Sequence, residues 1–90
     1  MSKLTNEDLK NIFIDTTYNN KTQVEIAKEY GVDNSTLNRE LRSYMLGALN
    51  YDRLHQDLSV DERAKEYDLS KSEYNHLLFR GRSKLLLKGR

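Results

Sequence analysis

The stretch "IAKEYGVDNSTLNRELR", residues 26–42, is echoed by "RAKEYDLSKSEYNHLLF", residues 63–79. Both copies spell Ala-Lys-Glu-Tyr, 37 positions apart, and a turn signal follows each. When 22–41 is laid on 59–78, eight of twenty positions are identical: Glu25/Glu62, the four of AKEY, Ser35/Ser72, Asn38/Asn75 and Leu41/Leu78. Thr22/Ser59 and Val32/Leu69 are close substitutions, and Leu9/Leu46, Ile12/Leu49 and Asp15/Asp52 continue the register upstream. Matches this dense, with their punctuation aligned, imply a duplicated unit about three helices long.

Helix starts carry that punctuation. A Ser, Thr or Asp oxygen accepts the orphan amide hydrogens of a first turn, and a Glu three residues on reaches back to the cap's own amide. The pattern occurs at Thr22-x-x-Glu25, Ser59-x-x-Glu62 and Ser70-x-x-Glu73, with a weaker form at Thr5-x-x-Asp8. Asp33 is the expected cap at the place matching Ser70. Helices are therefore expected near 6–18, 22–30, 34–44, 46–57, 60–67 and 71–87; only Gly47 interrupts the third and fourth, so these are expected either as two helices or as one long or kinked segment.

Helical spacing assigns the inward faces. In the first half these are Leu9, Ile12, Phe13 and Thr16; Val24, Ala27 and Tyr30; and Leu37, Leu41 and Tyr44. In the second half they are Leu46, Leu49, Arg53 and Leu54; Val60, Ala64 and Tyr67; and Tyr74, Leu77 and Leu78. The small Ala27 and Ala64 allow a second helix to approach closely.

The whole-chain totals agree with an all-α fold. Ninety residues suffice for one domain, or for two very small ones sharing a core. Proline is absent and glycine occurs four times, which favours helix over sheet or loop. Without cysteine there is no disulfide framework and no thiolate metal site. No apolar run approaches the roughly 18 residues of a membrane span, and the polar start "MSKLTNEDLK" lacks a secretion signal, so a cytoplasmic address is expected. The formal net charge of +1 hides an asymmetry. Met1 to Leu78 holds 10 basic and 14 acidic residues, a net of −4, while "FRGRSKLLLKGR" holds five basic residues and no acid. An acidic body runs against the usual basic character of a nucleic-acid binder.

In the first copy, Gly31 ends one helix at low steric cost, Val32 plugs the turn and Asp33 caps the next helix. This order resembles the helix-turn-helix of the resolvase, transposase and homeodomain-like group, whose members often run "IA-K-E-x-G-V-S-x-S-T-V-x-R-x-L". The matching residues are Ile26, Ala27, Lys28, Glu29, Gly31, Val32, Ser35, Thr36, Leu37, Arg39 and Leu41, with Leu9 to Tyr18 supplying a first helix. The second copy departs in two places: Asp68 replaces the turn glycine, and Arg63 replaces the apolar Ile26. Asp tolerates positive φ, so the turn is expected to survive.

The resemblance implies two tandem three-helix helix-turn-helix units, 1–44 and 45–79, followed by a basic helix end or tail, 80–90. It implies sequence-specific binding to double-stranded DNA, the second helix of each motif lying in the major groove with its N-terminal residues on base edges. Carried over, the DNA-facing residues are Asn34, Ser35, Thr36, Asn38, Arg39 and Arg42 in the first copy, and Lys71, Ser72, Asn75 and His76 in the second. Asn38 suits bidentate pairing with adenine and Arg39 with guanine. Ser35 and Thr36 suit a phosphate at the helix start. Arg80, Arg82 and Lys84, with Lys88 and Arg90, add cations for backbone phosphates, and Leu85, Leu86 and Leu87 suit a last core turn or a dimer patch.

Plainer roles stand beside these. Arg39 and Arg42 can pair with Glu40 and the acidic first half, where surface pairs contribute little. His55 and His76 fit half-packed surface positions better than ligand positions, so neither a metal site nor a cofactor is expected. The carboxylates sit scattered at helix starts, and no nucleophile is paired with a base, so the chain does not read as an enzyme. The resemblance implies a small transcriptional regulator of the kind made by bacteriophages and mobile elements, with a recombination accessory factor as near neighbour. The rival from another class is a protein-interaction module that contacts RNA polymerase, a sigma factor or another regulator.

Overall fold

The computed structural model describes residues 4–88, with side chains as far as Lys84. Five α-helices account for most of them: α1 (Asn6–Tyr18), α2 (Gln23–Tyr30), α3 (Asn34–Leu54), α4 (Val60–Glu66) and α5 (Lys71–Lys88). No strand occurs among the described residues. The chain divides into two compact units, Met1–Tyr44 and Met45–Arg90.

All four Ser/Thr helix starts close reciprocally. Thr5 and Asp8 exchange amide bonds of 3.1 and 3.0 Å. Thr22 and Glu25 do so at 2.8 and 3.2 Å, Ser59 and Glu62 at 2.9 and 3.2 Å, and Ser70 and Glu73 at 2.9 and 3.1 Å. Each closure satisfies two donors that a helix otherwise leaves orphaned, and loss of such a cap typically costs about 1 kcal/mol. Asp33 caps α3 by accepting from the Thr36 amide at 2.8 Å.

The turns after α2 and α4 share a geometry. Gly31 adopts φ +66, and Val32 N–H donates to the Ala27 carbonyl at 3.0 Å. Thirty-seven positions on, Asp68 adopts φ +55, and Leu69 N–H donates to the Ala64 carbonyl at 3.0 Å. A left-handed residue lets these late amides fold back onto free carbonyls of the preceding helix. Leu69 is buried, whereas Val32 is only half-buried.

The first unit has an apolar core of Leu4, Leu9, Ile12, Phe13, Ile26, Ala27, Leu37 and Leu41. The inward face of α2 centres on Ile26 and Ala27, with Tyr30 half-buried; Val24, expected inside, is 59% exposed. At 100° per residue Val24 stands about 200° around the helix from Ile26, so one of the two must face out. Thr16 is half-buried and bonds the Phe13 carbonyl, and Tyr44 is half-buried.

Of the two arrangements open at Gly47, the continuous one holds: α3 runs through Gly47 without a break, giving five helices. Two expectations for the second unit are corrected: 55–57 form a turn rather than helix, and the inward stripe differs. The buried face beyond Tyr44 is Met45 and Ala48, not the stripe Leu46, Leu49, Arg53 and Leu54. Leu46 and Leu49 are half-buried, while Arg53 and Leu54 are exposed. Continuity is the reason. A helix that restarts at 46 can choose its phase, but one that continues from Leu37 and Leu41 carries its stripe on to 45, 48 and 52 at the same i, i+3, i+4 spacing.

Asp52 lies on that stripe and receives the guanidinium of Arg63, which is only 9% exposed. Arg63 Nε also donates to the Leu58 carbonyl at 3.2 Å, and the Tyr74 hydroxyl donates to Asp52 at 3.0 Å. In the first unit the positions 37 earlier hold Asp15, Ile26 and Leu37. A polar triad in the second unit thus stands where the first has Ile26 and Leu37 in its apolar core. Around the triad, Tyr51 stacks on His55 (4.1 Å between centroids) and meets Tyr67 edge-on at 5.5 Å, while Tyr67 lies 6.0 Å from Tyr74. Burial, with Asp52 second, pushes the Tyr74 hydroxyl well above the ordinary tyrosine range. Ala64, Leu69, Tyr74, Leu77, Leu78 and Gly81 complete the buried set. Gly81 is required: a Cβ there would lie 2.9 Å from the Met45 carbonyl oxygen and 3.2 Å from Leu49 Cγ.

Candidate functional site

The residues singled out in the sequence sit on two helices, α3 and α5, each entered through a left-handed turn. On α3, Asn34, Ser35, Asn38 and Arg39 are exposed, and Thr36 and Arg42 are half-buried. Leu37 and Leu41 anchor the opposite side, so Ser35, Asn38 and Arg42 fall into one outward row by the i, i+3, i+4 rule. Arg39 stands beside that row. Arg42 differs from Arg39 in that its Nε is buried without a hydrogen-bond partner among the described residues. Part of its guanidinium is therefore committed to packing rather than to solvent.

The start of α3 is closed by a carboxylate from just outside the helix. No acidic residue lies in its first turn, and Asp33 immediately precedes it. Hydrogen bonds from the Thr36 hydroxyl and amide, joined by the Ser35 hydroxyl and the Arg39 charge, hold the Asp33 carboxyl below its ordinary value. Asp33 thereby occupies the Thr36 amide that the sequence made available to a phosphate, and Ser35 Oγ lies 3.4 Å from the same carboxylate.

On α5, Lys71, Ser72, Asn75, His76 and Arg82 are exposed, and Arg80 and Lys84 are half-buried. Tyr74, Leu77 and Leu78 hold the inward side. Burial lowers the affinity of the Arg80 guanidinium for its proton, and Arg80 is set partly into the unit beside the buried Gly81. The basic stretch from 80 is thus continuous helix as far as Lys88 rather than a separate tail. The side chains of Leu85, Leu86, Leu87 and Lys88, and residue Arg90, fall outside the described set.

One residue of this face escaped the sequence reading. Phe79 is 63% exposed and meets His76 edge-on, with centroids 6.3 Å apart at 81°. The signal was present: Phe79 lies 37 positions after Arg42, in the row Ser72, Asn75, Phe79 and Arg82.

Chemically the two faces present amides, hydroxyls and cations to solvent. Among the described residues no group of three or more His, Cys, Asp or Glu side chains is placed to hold a metal ion. Among the described residues no helix is long and apolar enough to cross a membrane. Set against protein-family models, curated proteins and solved structures, the chain finds no match in any of the three.

Proposed function

We propose that the chain binds double-stranded DNA in a sequence-specific manner, as a small transcriptional regulator of the phage or mobile-element type acting in the cytoplasm. In this reading it consists of two tandem helix-turn-helix units related by the 37-residue repeat, and α3 and α5 are the two reading helices. The observation that carries it is the pairing of Asn38 with Asn75. Both are exposed, and each sits seven residues beyond a left-handed turn residue, Gly31 or Asp68, on the helix that the turn delivers. An Asn at such a place reads adenine through its N6 and N7 edge, and Arg39 reads guanine, each contact worth about 1–3 kcal/mol of discrimination.

The second reading is a protein-interaction module directed at RNA polymerase, a sigma factor or another regulator. The net of −4 over Met1 to Leu78 favours it, since that charge opposes a phosphate backbone. Exposed Val24, Leu54 and Phe79 favour it as well. Affinity for random duplex DNA measured against salt, for the native chain and for Arg39→Ala and Asn38→Ala, separates the two. DNA binding gives a salt-steep affinity, with a slope near one log unit for each phosphate neutralised, and both variants bind more weakly. Absence of binding at low salt sinks DNA reading and leaves the protein partner.

A further inference from the structure

Building on the DNA-binding reading, we propose that α5 selects A·T base pairs, with Phe79 packing against the C5-methyl group of a thymine next to the adenine held by Asn75. The outward rows of the two helices differ at matched positions. On α3 the row and its neighbour are Asn38, Arg39 and Arg42; on α5 they are Asn75, His76 and Phe79. The exchange of Arg42 for Phe79 replaces a half-buried cation by an exposed apolar ring. The exchange of Arg39 for His76 removes a permanent charge. Asn75 keeps the adenine-reading amide.

Phe79 is placed for such a role. It lies one helical turn beyond Asn75 on the same side of α5, and 63% of it remains exposed. The edge-on His76 ring at 6.3 Å limits where the phenyl ring can turn. The row is bracketed by exposed Lys71 and Arg82, so its ends are cationic and its centre is amide and aromatic. That sequence of charge, amide, ring and charge complements a major groove, where phosphates flank base edges and the thymine methyl is the one apolar group. A groove face of the α3 type, by contrast, selects G-containing steps through Arg39. The preferred site of the full chain is then two-part, with a guanine-bearing segment under one helix and an A·T segment under the other.

The test begins with selection of preferred duplexes by the full chain. Binding is then measured with each thymine replaced singly by deoxyuridine, which lacks only the methyl group. Burial of one methyl corresponds to about fourfold in affinity, so one or two positions should show a loss of that size. Phe79→Ala, on an exposed position that leaves the unit folded, should bind thymine and deoxyuridine sites equally. Asn75→Ala should weaken both while retaining the methyl effect. If deoxyuridine is tolerated everywhere, or Phe79→Ala still discriminates, the assignment of Phe79 is wrong although DNA reading stands. If Asn75→Ala and Phe79→Ala bind as the native chain while Asn38→Ala and Arg39→Ala weaken, α5 does not read bases and the assignment again fails. If the native chain binds no duplex at low salt, the failure is that of DNA reading itself.

Discussion

Replacing Arg63 by Met strips the Asp52 carboxylate of its cation while keeping the volume of the side chain. Arg63 and Asp52 side chains are 11% and 14% exposed, so little water reaches the site. Removing one member of a buried pair costs about 3–5 kcal/mol, because the other charge is left without compensation. Here the Tyr74 hydroxyl still donates to Asp52, and the remaining exposure admits some water, which places the loss near the lower end, about 3 kcal/mol. The Leu58 carbonyl also loses its donor, adding about 1 kcal/mol. The informative partner is the triple variant Asp52→Leu, Arg63→Met, Tyr74→Phe. It takes all three polar groups out together and gives the second unit an apolar cluster like that around Ile26 and Leu37. An all-apolar replacement of a buried ion pair is often neutral or stabilising by about 1–4 kcal/mol, so the triple variant should recover most of the single variant's loss or exceed the native chain. Urea unfolding followed by far-ultraviolet circular dichroism measures both, through the midpoint at unchanged slope. A midpoint for Arg63→Met within about 0.5 kcal/mol of native would refute the burial argument. So would a triple variant that loses as much as the sum of its parts, because the polar groups would then be net contributors.

Three further outcomes follow from the backbone and the caps. Gly47→Ala meets open space in a helix interior and should stabilise the fold by about 0.5–1 kcal/mol, whereas Gly81→Ala drives a Cβ against the Met45 carbonyl and should cost about 1–3 kcal/mol; thermal melts of the two variants should move in opposite directions. Gly31→Ala adds no contact but imposes a side chain at φ +66, so it should lower stability by about 1 kcal/mol, and Gly31→Asn by less, in the same assay. Acid should destabilise the chain in a defined window. Hydrogen bonding from the Thr22 amide lowers the Glu25 carboxyl below its ordinary 4.5, as the Thr36 hydroxyl and then its amide do for Asp33 below 3.8. A depressed folded-state value means that the contribution is complete above these ordinary values and is lost as pH falls through the lower ones. Stability measured by urea midpoint should therefore be flat above about pH 5 and decline below about pH 4, and Asp33→Asn, which keeps a cap without a titrating group, should flatten part of that decline.

The helical class and the helix starts were legible because they depend on neighbours three residues apart. Thr22 with Glu25 and Ser59 with Glu62 state their bonding partners within one turn of chain. The left-handed turns were legible for the same reason, even at Asp68. The phase of α3 beyond Tyr44 was not. Leu46 and Leu49 are the larger apolar residues nearby, and only the uninterrupted run from Leu37 makes Met45 and Ala48 the buried ones. Arg63 looked like a flaw in the second copy, because its partner Asp52 is eleven residues away and its burial depends on tertiary packing. At the candidate site, the exposure of Asn38 and Asn75 followed from the ridges of Leu37, Leu41, Tyr74 and Leu78 on the other side. The partial burial of Arg42 and Arg80 did not follow, since a long cationic side chain can lie along the surface or stand off it.

The Asp52–Arg63–Tyr74 cluster also sets how the two halves respond to heat. Apolar groups raise the heat capacity of unfolding and polar groups lower it, so the half built around Ile26 and Leu37 should have the more sharply curved stability profile. Hydration of ions becomes less favourable on warming, which reduces the penalty of keeping Asp52 and Arg63 out of water. Chilling should accordingly weaken residues 4–44 first, while the half that contains the ion pair holds a flatter course across temperature.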